Sequence, residues 1–303
     1  LDEKEFSDRI TFYKGDIRNR QLVEHIFDES IRKDNNIEAV IHFAGLKSVK
    51  KSVEDPLLYW ENNVWGSIVL FEVMQKFNCL NIVFSSSATV YRAKNQVKLS
   101  EDCELKPINP YGETKLAIER ILAGLFNSSY QRWKIINLRY FNPIGAHPSG
   151  LIGENPKNIP DNLFPYICMV AAGKLSHLNI FGNDWPTFDS TCIRDYIHVL
   201  DLADAHCCAL KFLLKNKPHM LNLNIGTGRG TSVIQLVNTF IEVNKCEVPY
   251  KFSNRRRGDI PYVVADNQLA LSTIKWKPKR NLKDMCRDGW LWQVKNPNGY
   301  INI

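Results

Sequence analysis

The sequence predicts an α/β protein built on a parallel sheet, and three observations carry the prediction. Short apolar runs alternate with longer amphipathic ones up to Asn142, at the intervals expected of βαβ units. The runs at Ile37–Ala44 and Asn81–Phe84 are largely apolar on successive positions, as strands covered on both faces should be. Both runs end in small or polar residues, Gly45-Leu46-Lys47 and Ser85-Ser86-Ser87, and open α/β sheets hold their ligands beyond the carboxyl ends of the strands.

Taken in order, Ile10–Lys14 reads as a first strand, closed by Gly15-Asp16-Ile17. Leu22, Val23, Ile26, Phe27 and Ile31 then mark an amphipathic helix. The strand from Ile37 leads to a loop containing Lys50-Lys51, and a longer helix is expected from near Pro56 to Phe77. The strand Asn81–Ser87 follows, then a polar loop to Pro107, a helix opened by Asn109-Pro110, and a strand from Trp133 to Asn142. Beyond it, Pro143, Gly145, Pro148, Gly150, Gly153, Pro156 and Pro160 break the chain up before a helix near Leu163–Gly173. Arg194–Val199 reads as a return strand, Leu200–Leu214 as a helix and Leu221–Ile225 as one more strand. From Thr231 come a helix, the cluster Arg255-Arg256-Arg257 and a Trp-rich terminal helix. The pattern divides the chain into domains 1–141 and 142–303, with the segment 192–230 returning to the first domain's sheet.

The stretch with the clearest chemistry is Tyr111-Gly112-Glu113-Thr114-Lys115. Asn suits a helix cap and Pro the first helical position. Leu116, Ile118, Ile121, Leu122 and Leu125 recur at helical spacing, so Tyr111 and Lys115 lie one turn apart on one face. A phenol of pKa about 10 is a poor base at neutral pH. An ammonium one turn away favours the phenolate, and a serine hydroxyl from Ser85-Ser86-Ser87 adds a hydrogen bond at the same substrate oxygen. Such a set takes a proton from an alcohol while its carbon gives up a hydride. Tyr-x-x-x-Lys alone also occurs in helices with no chemistry; the serine run at a strand end sets this one apart.

Composition is that of a globular protein, and the net charge of +7 is spread along the chain. Only the arginine cluster is dense, which points to a local phosphate site rather than a nucleic-acid surface. The eight cysteines show no metal-ligand spacing and sit mostly among apolar residues, as reduced thiols of a cytoplasmic protein would. No apolar run is long enough to span a membrane, and no metal is expected. Gly226-Thr227-Gly228-Arg229-Gly230 invites a dinucleotide-fingerprint reading, but it follows the last strand rather than the first, so a tight turn into a helix is the expectation.

With these pieces placed, the chain resembles the extended short-chain dehydrogenase/reductases and, more narrowly, the UDP-glucose 4-epimerase family. The resemblance rests on His42-Phe43-Ala44-Gly45-Leu46-Lys47, Ser85–Tyr91, Arg139-Tyr140-Phe141-Asn142-Pro143, Gly145–Gly150, Ile180-Phe181-Gly182-Asn183-Asp184 and Arg194–Val199, and it covers nearly the whole chain. It implies a Rossmann-type doubly wound sheet with a smaller mixed α/β substrate domain, tightly bound NAD, a UDP-sugar substrate and a homodimer. Tyr111 becomes the acid/base at sugar O4, Lys115 lowers its pKa and holds the nicotinamide ribose, and Ser87 completes the relay. Asp16 and Ile17 would flank the adenine, with Phe43, Ala44, Lys47, Asn62, Ser85 and Tyr140 along the cofactor. For the UDP-sugar the resemblance implies Ser87, Asn142, Asn162, Leu163, Phe181, Arg194, Tyr196, Arg256 and Asp259, with Arg194 and Arg256 on the diphosphate and Phe181 on uracil.

Three departures from the family pattern matter. Members open with a strand, a Gly-rich turn and a helix that hold the pyrophosphate, so about forty residues are expected ahead of Leu1, and this chain by itself is expected to bind NAD poorly or not at all. Arg92, Ser190 and Cys192 stand where small residues are usual. Val263, four residues after Asp259, replaces a bulky aromatic found in some members, which implies room for an N-acetyl group and action on UDP-N-acetylhexosamines. The alternatives are a nucleotide-sugar 4,6-dehydratase, disfavoured because Ser87 is followed by Ala88-Thr89-Val90 with no carboxylate, and a non-catalytic nucleotide-binding protein.

Overall fold

The computed structural model describes residues 9–92, 97–128, 132–156, 160–256 and 258–300. Arg257 of the arginine cluster lies outside them.

Four parallel strands in the order β1-β2-β3-β8 form the main sheet: β1 (Val40–His42), β2 (Asn81–Ser87), β3 (Lys134–Tyr140) and β8 (His219–Ile225). The fold is thus the α/β class that the alternation predicted. Alternate residues serve opposite faces, as a strand's two-residue period requires. Ile82, Phe84 and Ile135 pack on one side with Val23 and Phe27 of α1 (Arg20–Arg32), Leu70 and Met74 of the helix Gly66–Lys76, and Ile118 and Leu122 of the helix Pro110–Ser128. Val83, Ile136, Leu138 and Leu223 pack on the other with Ala205, Ala209 and Leu213 of the helix Val199–Lys215.

Several elements differ from the sequence reading. Ile10–Lys14 forms no strand: among the described residues no strand pairs with it, and Ile10 and Phe12 stay 67% and 83% exposed. An apolar alternation without a partner strand gains no ladder. Lys50-Lys51 lie in a helix rather than a loop, α2 (Val49–Glu54), because Ser48 caps it by accepting from Lys51 N–H. The long helix expected to Phe77 is α3 (Pro56–Tyr59), a π-helical turn (Trp60–Trp65) and α4 (Gly66–Lys76). The helix opened at Pro110 is α5 (Pro110–Ser128).

The second region holds β4 (Asn142–Ile144), α6 (Leu163–Ala171), β5 (Leu178–Phe181), β6 (Ile193–Arg194) and β7 (Tyr196–His198). They are followed by α7 (Val199–Lys215), β9 (Thr231–Ser232), α8 (Val233–Asn244), β10 (Tyr250–Ser253), β11 (Tyr262–Val263), α9 (Gln268–Thr273) and α10 (Leu282–Lys295). The expected return strand 194–199 is split at Asp195: β6 pairs with β9 and β11, β7 with β4, and within 192–230 only β8 joins the main sheet. Asp195, fully buried, causes the split. Its carboxylate accepts from Thr227 N–H and Oγ1, Gly228 N–H and Ala265 N–H, and a Cβ on Gly226 would lie 2.6 Å from its Oδ2. The Gly226–Gly230 run is therefore a turn clamped on a carboxylate, and it leads into β9 before α8.

Candidate active site

The site begins where β2 ends. Ser87 Oγ accepts from Thr89 N–H at 3.2 Å and Thr89 Oγ1 at 3.0 Å, closing a short turn at Ala88–Val90. With its lone pairs so used, the Ser87 hydroxyl keeps its proton for the neighbouring Tyr111 phenol, whose pKa it holds down. Asn109 starts α5 by accepting from Gly112 N–H, and Gly112 is buried so close to Thr89 that a Cβ would lie 2.6 Å from that residue's carbonyl oxygen. This contact presses the first turn of α5 onto the turn after Ser87.

Lys115 is 4% exposed and donates to the Ser85 carbonyl at 2.7 Å. Its Nζ lies 5.0 Å from the Phe84 ring centroid and 5.8 Å from that of Tyr111. Burial brings Lys115 down to about 8 and takes Tyr111 up to about 12, the Ser87 hydrogen bond opposing the rise and Tyr59 adding to it. The sequence reading had Lys115 lowering the phenol. In the structure the ammonium points to the Ser85 carbonyl and desolvation decides the sign. His42, buried at the end of β1, is brought down to about 3 by burial first and the Lys115 charge second.

Of the residues assigned to a cofactor, Phe43 and Ala44 lie exposed just past β1, beside the ends of β2 and β3 that carry Ser85 and Tyr140. Asp16 is taken up by Arg18, which also reaches Glu61, and Ile17 packs where a Cβ on Gly66 would meet it at 2.7 Å. Lys47 pairs with Glu154, and Asn62 donates to the Leu58 carbonyl on its own helix. The residue that binds the loop after β1 is Asn63, 1% exposed. Its Oδ1 accepts from Leu46 N–H at 2.7 Å, and its Nδ2 donates to the Leu46 carbonyl and to Thr114 Oγ1, both at 3.1 Å. Thr114 in turn donates to the Tyr111 carbonyl. The π-helical turn holds Asn63 in this inward position; π-turns are frequent at functional sites. The sequence reading missed Asn63, although a second Asn inside an apolar helix, three residues before Gly66, was a visible signal.

The substrate residues fall into two groups. Phe181, Arg194, Arg256, Asp259 and Val263 come together: Arg256 stacks over Phe181 at 4.6 Å and pairs with Asp259 at 3.0 Å, Arg194 donates to the Ile260 carbonyl at 2.8 Å, and Val263 lies opposite Arg194 in the β6–β11 ladder. The thiol of Cys192 is hydrogen-bonded to Arg194. Asn142 lies on β4 opposite Tyr196, which is 5% exposed and part of the apolar core of the second region. Asn162, exposed, and Leu163, half-buried, open α6, and Ser48 reaches the neighbouring Asp161 at 2.7 Å, so the loop after β1 touches the start of α6. Among the described residues no group of three or more His, Cys, Asp or Glu could hold a metal ion, and no helix is long and apolar enough to cross a membrane.

Residues 1–289 match the family described as GDP-mannose 4,6 dehydratase. The UDP-glucose 4-epimerase of Bacillus subtilis is 50% identical over 96% of this chain and 84% of its own length. The crystal structure of UDP-glucose-4-epimerase from Stenotrophomonas maltophila, with bound NAD and formylated UDP-arabinopyranose, superposes with a TM-score of 0.90 at 45% identity, covering 95% of this chain and 83% of that one. The UDP-glucose 4-epimerase of Bifidobacterium longum in complex with NAD+ and UDP gives 0.90 at 41% identity, over 98% and 87%.

Proposed function

The chain belongs to the family described as GDP-mannose 4,6 dehydratase and, within it, to the UDP-glucose 4-epimerases, and from that premise we infer that it interconverts UDP-galactose and UDP-glucose through a 4-keto sugar. It is an isomerase, and its cofactor is NAD. The observation that carries the reading is the convergence of Ser87, Tyr111 and buried Lys115 at the end of β2.

The residues beside that convergence suit a dinucleotide. Phe43 leaves 58% of its surface open, and a side chain on the adjoining Gly45 would crowd Asn63, so the loop after β1 offers a flat apolar face with bare backbone next to it. Phe43, Ala44, Lys47, Asn62, Ser85, Tyr140 and Lys115 would hold the cofactor, with Asp16 and Ile17 at its adenine end. Bound there, NAD would supply the hydride acceptor, and then the donor, for sugar C4. The protein's own part is to move one proton. Tyr111 takes it from O4 as the carbonyl forms and gives it back afterwards, while Ser87 donates to the phenol oxygen and steadies the phenolate. Arg194 and Arg256 would grip the diphosphate, Phe181 and Leu163 the base, and Asn142, Asn162, Tyr196 and Asp259 the remaining polar groups. A firm hold on UDP with a loose one on the hexose lets the sugar turn over between the two transfers.

Elimination of water is not supported, because Ala88-Thr89-Val90 offers no carboxylate after Ser87. Val263, in place of a bulky aromatic, leaves room at that corner of the site, which favours UDP-N-acetylhexosamines as further substrates. We also propose a homodimer through the helices near 56–77 and 110–127, supported by the exposed Leu57, Trp60 and Trp65, and a cytoplasmic site of action, supported by eight cysteines that are all unpaired. Conversion of UDP-galactose by the chain with NAD supplied, abolished in Tyr111→Phe, tests the reading.

A further inference from the structure

We propose that His206 is a positioning residue of the dinucleotide site: it accepts the proton of the Tyr140 hydroxyl and thereby fixes Tyr140 as a hydrogen-bond acceptor toward Ser85, beside the open face of Phe43. The proposal deepens the NAD reading above and rests on it.

One imidazole here has two partners. His206, in the middle of α7, is 4% exposed. Its Nδ1 lies 2.8 Å from the Leu202 carbonyl one turn earlier, and a carbonyl oxygen can only accept, so Nδ1 carries the hydrogen. Burial holds the ring below the ordinary histidine range, which keeps it neutral near pH 7 and leaves Nε2 with a bare lone pair. Nε2 lies 2.5 Å from the Tyr140 hydroxyl, so Tyr140 must be the donor.

A phenol has a single proton. With it committed to His206, Tyr140 can only accept from its remaining neighbours. Ser85 is one of them, its hydroxyl near enough to hold the Tyr140 phenol down while its carbonyl takes the Lys115 ammonium. Tyr111 is another, close enough that its charge would raise the Tyr140 phenol. The donor sense therefore runs one way, from Ser85 through Tyr140 and His206 to Leu202, across β2, β3 and α7. Tyr140 has no proton to offer Tyr111, which leaves the catalytic phenol to Ser87 alone. On its other side the imidazole meets the Phe43 ring at 4.8 Å, and Tyr140 at 5.4 Å. His206 thus sits between the two aromatic residues read as cofactor contacts, and it orients one by a hydrogen bond and the other by packing.

The test combines histidine nitrogen NMR with NAD titration of the purified chain. The wild type should show His206 protonated at Nδ1 and bare at Nε2, and Tyr140→Phe should move the Nε2 resonance alone. His206→Phe should weaken NAD binding roughly tenfold, the effect of one lost hydrogen bond, whereas His206→Gln, which keeps an acceptor, should retain most of the affinity. In a Tyr140→Phe background His206→Phe should add nothing, because the two act through one bond. A proton on Nε2, equal losses in the Phe and Gln variants, or a full further loss in the Tyr140→Phe background would each overturn the proposal. If His206→Phe fails to fold, His206→Gln and Tyr140→Phe carry the comparison. Absence of NAD uptake by the wild type would speak to the affinity of this chain for the cofactor, and the tautomer spectrum with its response to Tyr140→Phe would still decide the role of His206.

Discussion

Lys115 donates its buried ammonium to the carbonyl of Ser85, 2.7 Å away, and not to the phenol of Tyr111 one turn before it. The pairing puts a desolvated charge at the end of β2, and its cost has a pH signature. Lys115 is held at about 8 against an ordinary 10.5, so its charged form is disfavoured in the folded chain. The unfolded chain binds more protons between these two values, and stability therefore rises with pH across that window. Lys115→Met should be the more stable protein at pH 7, by about 3 kcal/mol at most, and the gap should close between pH 8 and pH 10.5. Urea melts at pH 7 and pH 10 check this; a constant gap would show that the charge is not strained.

Ser87 donates to the Tyr111 phenol and opposes the rise that burial causes. Removing that donor lets the phenol climb further. Ser87→Ala should lower kcat roughly 10²-fold and move to higher pH the limb of the pH–rate profile on which activity rises as the phenol loses its proton. A profile unchanged in position would mean that Ser87 does not bond to the phenol during turnover.

Asn63 joins the loop after β1 to the catalytic helix by three hydrogen bonds from a fully enclosed amide. Asn63→Ala strands the Leu46 amide and carbonyl, which should cost about 2–3 kcal/mol of stability. Asn63→Asp should be worse, since a carboxylate cannot donate to Leu46 and Thr114. Denaturation midpoints of the two variants check the order.

Beneath the site, Arg139 (1% exposed) forms a two-pronged pair with Glu119, and Ser86 donates to the same carboxylate. Glu119 lies one turn beyond Lys115, and Ser86 pairs in register with Arg139, so the pair locks α5 to β2 and β3. Glu119→Gln leaves a buried guanidinium without its counter-charge and should cost about 3–5 kcal/mol. Replacing both residues by Leu and Met should recover part of that loss, as measured by chemical denaturation.

Much of this was legible in the sequence. Asn81–Ser87 is a strand with the bounds its apolar run gave, because both of its faces are covered and it has two neighbours. The helical spacing that put Tyr111 and Lys115 on one face also held. What was not legible depended on partners. Ile10–Lys14 has a strand's pattern but, among the described residues, no strand beside it. The run 194–199 breaks because Asp195 turns inward to the 226–228 amides, a contact no local pattern announces. The π-helical turn at Trp60–Trp65 shifts the helix by a single residue, too little to disturb the hydrophobic period. The direction of the Tyr111 shift depended on where the Lys115 ammonium points, and spacing along a helix does not fix that.

The most direct test of the account is conversion of UDP-galactose carrying deuterium at C4, with NAD supplied and the product read by NMR. Internal hydride transfer about Ser87, Tyr111 and Lys115 predicts UDP-glucose with the deuterium still on C4. Product that has lost the label to solvent, a 4-keto-6-deoxy sugar, or no conversion by folded chain that takes up both NAD and UDP-galactose would contradict it.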